Sequence, residues 1–217
     1  MQITFKGAIF DADGTLIDSM YMWHSLGLHY LQKLGIHENE SLNQKLFVMS
    51  FEQGCEYLQT HYDLKKSSDE IRGEIIEMIR DFYIHDVKLK EGVREFLDVL
   101  KNKSISMVIA TSGDRELLTS ALKRLKVYEY FDAIFTCTEL QTDKHDSKIF
   151  MVCSDYMNLK PEDVAVFEDV FYALNTAKNA GFFTIGIADN ESIGDRRRII
   201  EVSDYFIEDF TKEAIEK

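Results

Sequence analysis

Three short apolar runs in the sequence end in residues whose side chains could do chemistry. They are followed by Asp11 and Asp13, by Thr111, and by the adjacent pair Glu168 and Asp169. In open parallel sheets, ligands bind in the crevice outside the carboxyl ends of the strands. If the three runs are parallel strands, we expect these carboxylates and the hydroxyl to meet in one crevice. Any one of them could simply end a strand or cap a helix, but that reading is poor for the whole set.

Such a group of residues favours phosphoryl chemistry with a divalent cation. Neighbouring carboxylates repel one another and raise each other's pKa values, so a cation is needed to keep them ionised. Mg²⁺ suits this donor set, because it binds one or two carboxylates together with phosphate oxygens. Gly14 and Gly113 allow backbone N–H groups to approach an anion closely. The turn from Ser112 to Asp114 is also expected to open a helix, whose N-terminus favours phosphate.

The apolar runs themselves predict the architecture that positions these residues. They have the length of buried strands and alternate with helical patterns, such as the apolar stripe from Leu117 to Leu125. The runs cover residues 8–10, 107–110, 164–167 and 183–187. Strand–helix alternation of this kind predicts an α/β fold with a doubly wound, Rossmann-like parallel sheet.

The segment 18–86 interrupts this alternation and contains only helical patterns. A single helix is expected to carry Met20, Trp23, Tyr30, Leu31 and Leu34 on one face. Two capping-box patterns, at Ser50 and Ser67, each predict the start of another helix. We therefore expect an inserted all-helical cap domain at 18–86, and a catalytic core made of 1–17 and 87–217.

Composition excludes several classes of partner. The 217 residues include 25 Lys and Arg against 38 Asp and Glu, which gives a formal charge of −13. No basic surface is available to neutralise the phosphates of nucleic acid or of an anionic membrane. The three cysteines show no metal-binding or disulfide pattern, and no leader or membrane span is predicted, so we expect a cytoplasmic protein. The expected partner is a small phosphorylated metabolite, and the expected state a monomer or weak homodimer.

The motifs resemble those of the haloacid dehalogenase (HAD) superfamily over essentially the whole chain. The stretch from Asp11 to Ser19 is similar to the family's first motif, Asp-x-Asp-Gly-Thr followed by Asp-Ser. Thr111 resembles the second motif, Lys144 the third, and the pair Glu168-Asp169 the fourth. The insert between the first two motifs is similar to the helical cap of subfamily I, which contains β-phosphoglucomutase and many small-molecule phosphatases.

The resemblance implies a role for each matching residue. Asp11 would be the nucleophile that forms a phosphoaspartate, and Asp13 the general acid and base. Mg²⁺ would be held by Asp11, the Asp13 carbonyl and Asp169, with Glu168 nearby or bound through water. Thr111 and Lys144 would stabilise the transferring phosphoryl group. The substrate-binding candidates are Gly14, Thr15, Ser112, Gly113 and Trp23, of which Trp23 could instead pack within the cap.

Some departures from the family pattern bear on the activity. The third motif lacks its two prolines, which leaves Lys148 as a rival for the role of Lys144. Trp23 stands where β-phosphoglucomutases tend to carry histidine, and the cap lacks their Gly-x-x-Arg signature. We therefore expect a Mg²⁺-dependent phosphatase of a small metabolite. A β-phosphoglucomutase-like phosphomutase and a non-enzymatic phospho-acceptor are the alternatives.

Overall fold

The computed structural model describes residues 4–211, and these fall into two compact units. One unit runs through Asp18 and resumes at Val87, and the other is Ser19–Asp86. The first unit carries the strands β1 (Gly7–Phe10), β2 (Ile17–Asp18), β3 (Lys88–Leu89), β4 (Ser106–Thr111), β5 (Ala133–Thr136), β6 (Val164–Glu168), β7 (Phe183–Ile187) and β8 (Tyr205–Ile207). Six of them form one parallel sheet in the order β5-β4-β1-β6-β7-β8.

The Ser19–Asp86 unit is helical throughout. Its α-helices are α1 (Met20–His24), α2 (Leu26–Lys33), α3 (Ser41–Phe47), α4 (Phe51–His61) and α5 (Ser68–Asp81), and a π-helical turn, Phe82–Asp86, follows α5. Both predicted capping boxes are present, because Ser50 and Ser67 each accept a bond from the third residue of the helix. The prediction of a single helix carrying Met20 to Leu34 was wrong. The chain breaks at Ser25, whose φ of −123° and ψ of 22° are not helical, so two shorter helices form.

Six further α-helices belong to the described part of the unit that contains the sheet. They are α6 (Val93–Asn102), α7 (Arg115–Arg124), α8 (Cys137–Leu140), α9 (Lys148–Tyr156), α10 (Phe171–Asn179) and α11 (Arg196–Val202). Helices on both faces explain why β1 and β6 are buried along their whole length and read as continuous apolar runs. The predicted doubly wound α/β fold with an all-helical insert is confirmed.

Register in the centre of the sheet decides which polar residues meet. Phe10, the last residue of β1, lies level with Ile109 of β4 and with Phe167 of β6. The Phe10 and Phe167 rings stack with their centroids 4.3 Å apart, which fixes the two strands beside each other. Each of these two phenylalanines is followed by a residue with a carboxylate, Asp11 after Phe10 and Glu168 after Phe167.

Two minor features complete the fold. β2 and β3, which precede and follow the helical unit in the chain, pair antiparallel with Ile17 opposite Leu89. β5 and β8, at the two ends of the sheet order, were not among the predicted strands. Within residues 4–211, no helix is long and apolar enough to cross a membrane.

Candidate active site

Three carboxylates and one lysine form the centre of the candidate site. Asp11, Glu168 and Asp169 each place a carboxylate oxygen within 4.8 Å of the others, and all three residues are buried. Lys144 contacts the Asp11 carboxylate and donates to Glu168 Oε2 at 2.7 Å. The other oxygen of Glu168 accepts the backbone N–H groups of Asp169 and Val170 at 3.2 and 3.3 Å. These bonds hold the Glu168 side chain at the end of β6.

Burial makes this centre electrostatically unfavourable for its carboxylates. Desolvation, with the neighbouring Glu168 charge, raises the pKa of Asp11 from 3.8 to about 8, although Lys144 opposes the rise. Desolvation and Glu168 likewise raise the pKa of Asp169 well above its usual value. Burial disfavours the charge on Lys144, but the carboxylates of Asp11 and Glu168 outweigh it and raise the pKa of that lysine. One ammonium group therefore faces more negative charge than it can neutralise.

This donor set fits a hard divalent cation. Its oxygens come from three buried carboxylates, no thiol or imidazole belongs to the cluster, and Mg²⁺ prefers oxygen ligands. A cation would favour the ionised form of Asp11 and Asp169, which burial alone disfavours. The arrangement can therefore hold Mg²⁺ beside the carboxylate of Asp11.

Two hydroxyl groups support Asp169. Thr15 Oγ1 donates to Asp169 Oδ1 at 3.2 Å, and Ser192 Oγ donates to Asp169 Oδ2 at 3.4 Å. Thr15 is completely buried. Its side chain therefore faces the carboxylate cluster, a different setting from the substrate contact expected from the sequence. Sequence reasoning missed Ser192, which lies in a loop without a recognisable motif.

Asp13 and Thr111 are brought together around Gly113. A Cβ atom at Gly113 would lie 3.0 Å from Asp13 Oδ2 and 3.2 Å from Thr111 Oγ1, so both side chains face this glycine. The Gly113 N–H donates to Thr111 Oγ1 at 2.9 Å. Asp13 is half-buried, unlike Asp11. Both distances are shorter than ordinary van der Waals contacts, so a side chain at position 113 would displace one of these two groups slightly.

The remaining loop residues lie beside these groups. Gly14 has a φ of 84°, a left-handed conformation that favours glycine in this turn. Ser112 is exposed, and its hydroxyl lies 3.5 Å from Cys137 Sγ. Asp114 caps α7 by accepting the Leu117 N–H at 2.9 Å, so the predicted start of a helix at this turn is confirmed.

The structure places Lys144, rather than Lys148, among the carboxylates. Lys148 is exposed and donates to the Leu140 carbonyl at 2.6 Å. Two aspartates order the loop in place of the missing prolines. Asp143 Oδ1 accepts the His145 N–H at 2.8 Å, and Asp146 Oδ1 accepts the Lys148 N–H at 2.9 Å. Such Asx turns restrain a backbone through side-chain bonds.

Trp23 lies in the helical unit. Its indole N–H donates to the Tyr83 hydroxyl at 3.0 Å, and the two rings meet edge to face. This contact shows that Trp23 packs within its own unit, and a role in binding substrate stays a prediction.

Lys90 is a residue of the sheet unit that sequence reasoning missed. Its ammonium contacts the Gly14 carbonyl, donates to the Ala188 carbonyl at 2.8 Å and pairs with Asp189 Oδ2 at 2.7 Å. The charge of Lys90 also lowers the pKa of Asp169, against the larger effect of burial. One lysine thus joins β3 to the loop that contains Asp13 and to the loop after β7.

The parallel sheet brings carboxylates, a lysine and a glycine turn together at the carboxyl ends of its strands. This arrangement is typical of α/β proteins that bind a ligand in a crevice at that edge. Residues 8–187 match the family described as haloacid dehalogenase-like hydrolase. The chain belongs to this family of hydrolases.

Individual relatives are similar to this chain over most of their own length. A phosphorylated carbohydrates phosphatase of Thermotoga maritima is 27% identical over 197 residues, which are 90% of each chain. The β-phosphoglucomutase of Bacillus subtilis is 26% identical over 193 residues, 86% of this chain and 84% of that one. A HAD family hydrolase from Deinococcus radiodurans, solved with bound phosphate and sodium, has a TM-score of 0.76 at 16% identity and covers 98% and 94% of the chains. This last likeness concerns the fold.

Proposed function

We propose that this protein is a Mg²⁺-dependent phosphatase that hydrolyses a small phosphorylated metabolite, with sugar phosphates as the favoured class. The observation that carries the proposal is the buried cluster of Asp11, Glu168 and Asp169 around Lys144, with Asp13 beside it in the same loop as Asp11. Similarity to a phosphorylated carbohydrates phosphatase supports the choice of substrate class.

Asp11 is the proposed nucleophile. Its carboxylate oxygen forms a bond to phosphorus while the bond from phosphorus to the ester oxygen breaks, which gives a phosphoaspartate. Asp13 donates its proton to the departing ester oxygen. Asp13 then takes a proton from water as the water oxygen attacks phosphorus, and phosphate leaves Asp11. The difference in burial suits these roles, because the half-buried Asp13 can exchange protons with solvent.

The other residues hold charge in place. Lys144 orients the Asp11 carboxylate and faces the negative charge of the phosphoryl oxygens, and Thr111 offers a hydroxyl beside Asp13. Asp11, Asp169 and the Asp13 carbonyl would hold Mg²⁺, with Glu168 next to them. When bound, Mg²⁺ supplies a Lewis acid that neutralises charge on a phosphoryl oxygen. Thr15 and Ser192 position the Asp169 carboxylate for this purpose.

The test measures phosphate release from a panel of sugar phosphates and nucleotides, with and without Mg²⁺. We expect turnover that requires Mg²⁺, and a loss of at least about a thousandfold in Asp11→Asn. Asp155→Asn changes an exposed aspartate on α9 and should retain full activity. No Mg²⁺-dependent release by folded wild-type protein, or full activity in Asp11→Asn, would contradict the proposal.

A phosphomutase is the second candidate, because the chain is similar to the Bacillus subtilis β-phosphoglucomutase. Trp23 and the absent arginine signature speak against it. Conversion of β-glucose 1-phosphate to glucose 6-phosphate, dependent on a bisphosphate primer and faster than phosphate release, would establish the mutase instead. The cytoplasmic location and the monomer or weak homodimer stay predictions.

A further inference from the structure

The loop that carries Lys144 has an open outer side. Lys144 is buried, but Asp143, His145 and Asp146 around it are exposed. Residues 145–147 line a groove of about 610 Å³, whose other wall is formed by residues between Phe171 and Ala180. The outer side of the loop therefore faces solvent rather than packed protein. The contacts that do restrain it matter for the position of Lys144.

The strongest of these contacts by geometry is a stack of two rings. The imidazole of His145 lies parallel to the ring of Tyr172, with the centroids 4.1 Å apart and the planes 15° apart. Such aromatic pairs contribute beyond the area that they bury. Because His145 follows Lys144 directly in the chain, the stack restrains the backbone one residue away from the lysine.

The backbone groups of His145 are bonded as well. Its N–H donates to Asp143 Oδ1 at 2.8 Å, and its carbonyl accepts the hydroxyl of Thr176 at 3.4 Å. Thr176 comes four positions after Tyr172, so the two residues lie on the same face of α10. The ring and the carbonyl of His145 are thus both held by one face of this helix.

α10 is a firm support for this contact. The helix packs against β6 and β7 through its buried residues Ala173, Leu174 and Ala177. β6 ends at Glu168, whose carboxylate accepts the ammonium of Lys144 at 2.7 Å. The backbone next to the lysine and the ammonium at the end of its side chain are therefore attached to the same strand–helix segment.

We propose that the stacked rings of His145 and Tyr172 hold Lys144 in place among the buried carboxylates. The two prolines of the family's third motif, which would restrict the backbone here, are missing, and a side-chain contact to α10 restricts it instead. His145 and Tyr172 are positioning residues, since they act through Lys144. The effect on catalysis rests on the proposed phosphatase function, whereas the effect on the position of Lys144 does not.

The first test measures how often Lys144 becomes accessible and needs no turnover. The full-length protein is treated briefly with acetic anhydride, and mass spectrometry gives the acetylation rate of each lysine. Lys144 should react slowly in the wild type, because its side chain is only 4% exposed. The ring-removing variants His145→Ala and Tyr172→Leu should each raise this rate by roughly two- to tenfold. His145→Phe and Tyr172→Phe keep two stacked rings and should protect Lys144 as the wild type does.

Lys90 separates local opening of the loop from general loosening of the protein. Its side chain is 15% exposed and belongs to the same unit, so its acetylation should accelerate only if the whole unit opens. His61→Ala removes a comparable stack of histidine on tyrosine in α4 and should leave Lys144 protected. Equal acceleration of Lys90 and Lys144, or an unchanged rate for Lys144 in either ring-removing variant, would overturn the proposal.

The second test follows phosphate release with Mg²⁺. The ring-removing variants should lower kcat by roughly two- to tenfold and change KM by less than about twofold, because Lys144 faces charge that develops during phosphoryl transfer. The phenylalanine variants and His61→Ala should keep the kcat of the wild type. A double variant with both His145→Ala and Tyr172→Leu should be no slower than the slower single variant, since both changes remove the same contact.

The two tests also separate this proposal from the proposed function. Losses of kcat that add in the double variant, or a change in KM alone, would overturn the positioning role even if Lys144 becomes accessible. If folded wild-type protein releases no phosphate from the panel, the proposed function fails. The acetylation rates of Lys144 and Lys90 then decide by themselves whether the stack holds the lysine.

Discussion

Replacing Lys90 with methionine removes a cation that serves three acceptors at once. The Lys90 and Asp189 side chains are only 15% and 5% exposed, and their charges are 2.7 Å apart. The same ammonium bonds the carbonyls of Gly14 and Ala188. Methionine has a similar length, so Lys90→Met leaves the space filled but strands the Asp189 carboxylate and the two carbonyls. We therefore expect a large effect on stability that does not come from a cavity.

The size of this loss of stability follows from the burial of the Lys90–Asp189 ion pair. Removing one partner of a buried ion pair typically destabilises a protein by about 3–5 kcal/mol, because an uncompensated charge stays out of water. Lys90 is slightly solvated, so we expect Lys90→Met to lower the free energy of unfolding by about 3 kcal/mol. Asp189→Asn in the same background removes the stranded charge. The double variant should therefore be more stable than the sum of the two single changes by about 2 kcal/mol.

Urea unfolding followed by circular dichroism measures all four free energies in this cycle. Arg197→Met provides a matched control, because Arg197 pairs with Glu201 on the surface with side-chain exposures of 90% and 60%. Exposed pairs contribute about 0.5 kcal/mol or less, so this variant should unfold like the wild type. If Lys90→Met were equally harmless, or if the double variant were strictly additive, the buried lysine would not be neutralising Asp189 and our reasoning would fail.

Three further predictions concern the carboxylate cluster. Thr15→Val removes the hydroxyl bonded to Asp169 while keeping the side-chain shape, and should raise the Mg²⁺ concentration for half-maximal activity by roughly tenfold, as a metal titration would show. Gly113→Ala should lower kcat with little change in melting temperature, because its methyl group lies 3.0 Å from the Asp13 carboxylate; unchanged steady-state kinetics would contradict this. Without divalent metal, the folded protein keeps a proton on Asp11 up to about pH 8, whereas the unfolded chain releases it near its usual pKa of 3.8. The stability of the folded protein should therefore fall as pH rises between these values, and Mg²⁺ should reverse the loss. Calorimetry that shows neither effect would mean that the Asp11 carboxyl is already ionised.

Local patterns predicted the centre of the fold well. Apolar runs as short as 8–10 are recognisable because strands buried on both faces need apolar side chains throughout. The peripheral strands β5 and β8 gave a weaker signal, since they have only four and three residues and their burial is partial. The break at Ser25 was missed because apolar periodicity continues across it, and the periodicity does not record one residue with a non-helical ψ.

The candidate site also contains some residues that could be placed from the sequence and others that could not. Asp11, Thr111 and Glu168 could be placed together because strand order and register bring strand ends to one edge. Lys90 could not, because its three acceptors lie 76 to 99 positions away in sequence and no periodicity connects them. The buried position of Thr15 was equally hidden, since a threonine after a glycine turn can face substrate or protein.

The cluster itself explains why its residues are held so firmly. Burial favours the protonation or the separation of three neighbouring carboxylates, so other contacts in the fold must keep them together. Lys144 restrains Asp11 and Glu168, and backbone N–H groups fix the second oxygen of Glu168. Because contacts within the protein hold these carboxylates in place, a metal that binds there would have little left to order. The same repulsion that destabilises the metal-free centre would then be released on binding, so removing one of these carboxylates should weaken metal binding while stabilising the metal-free protein.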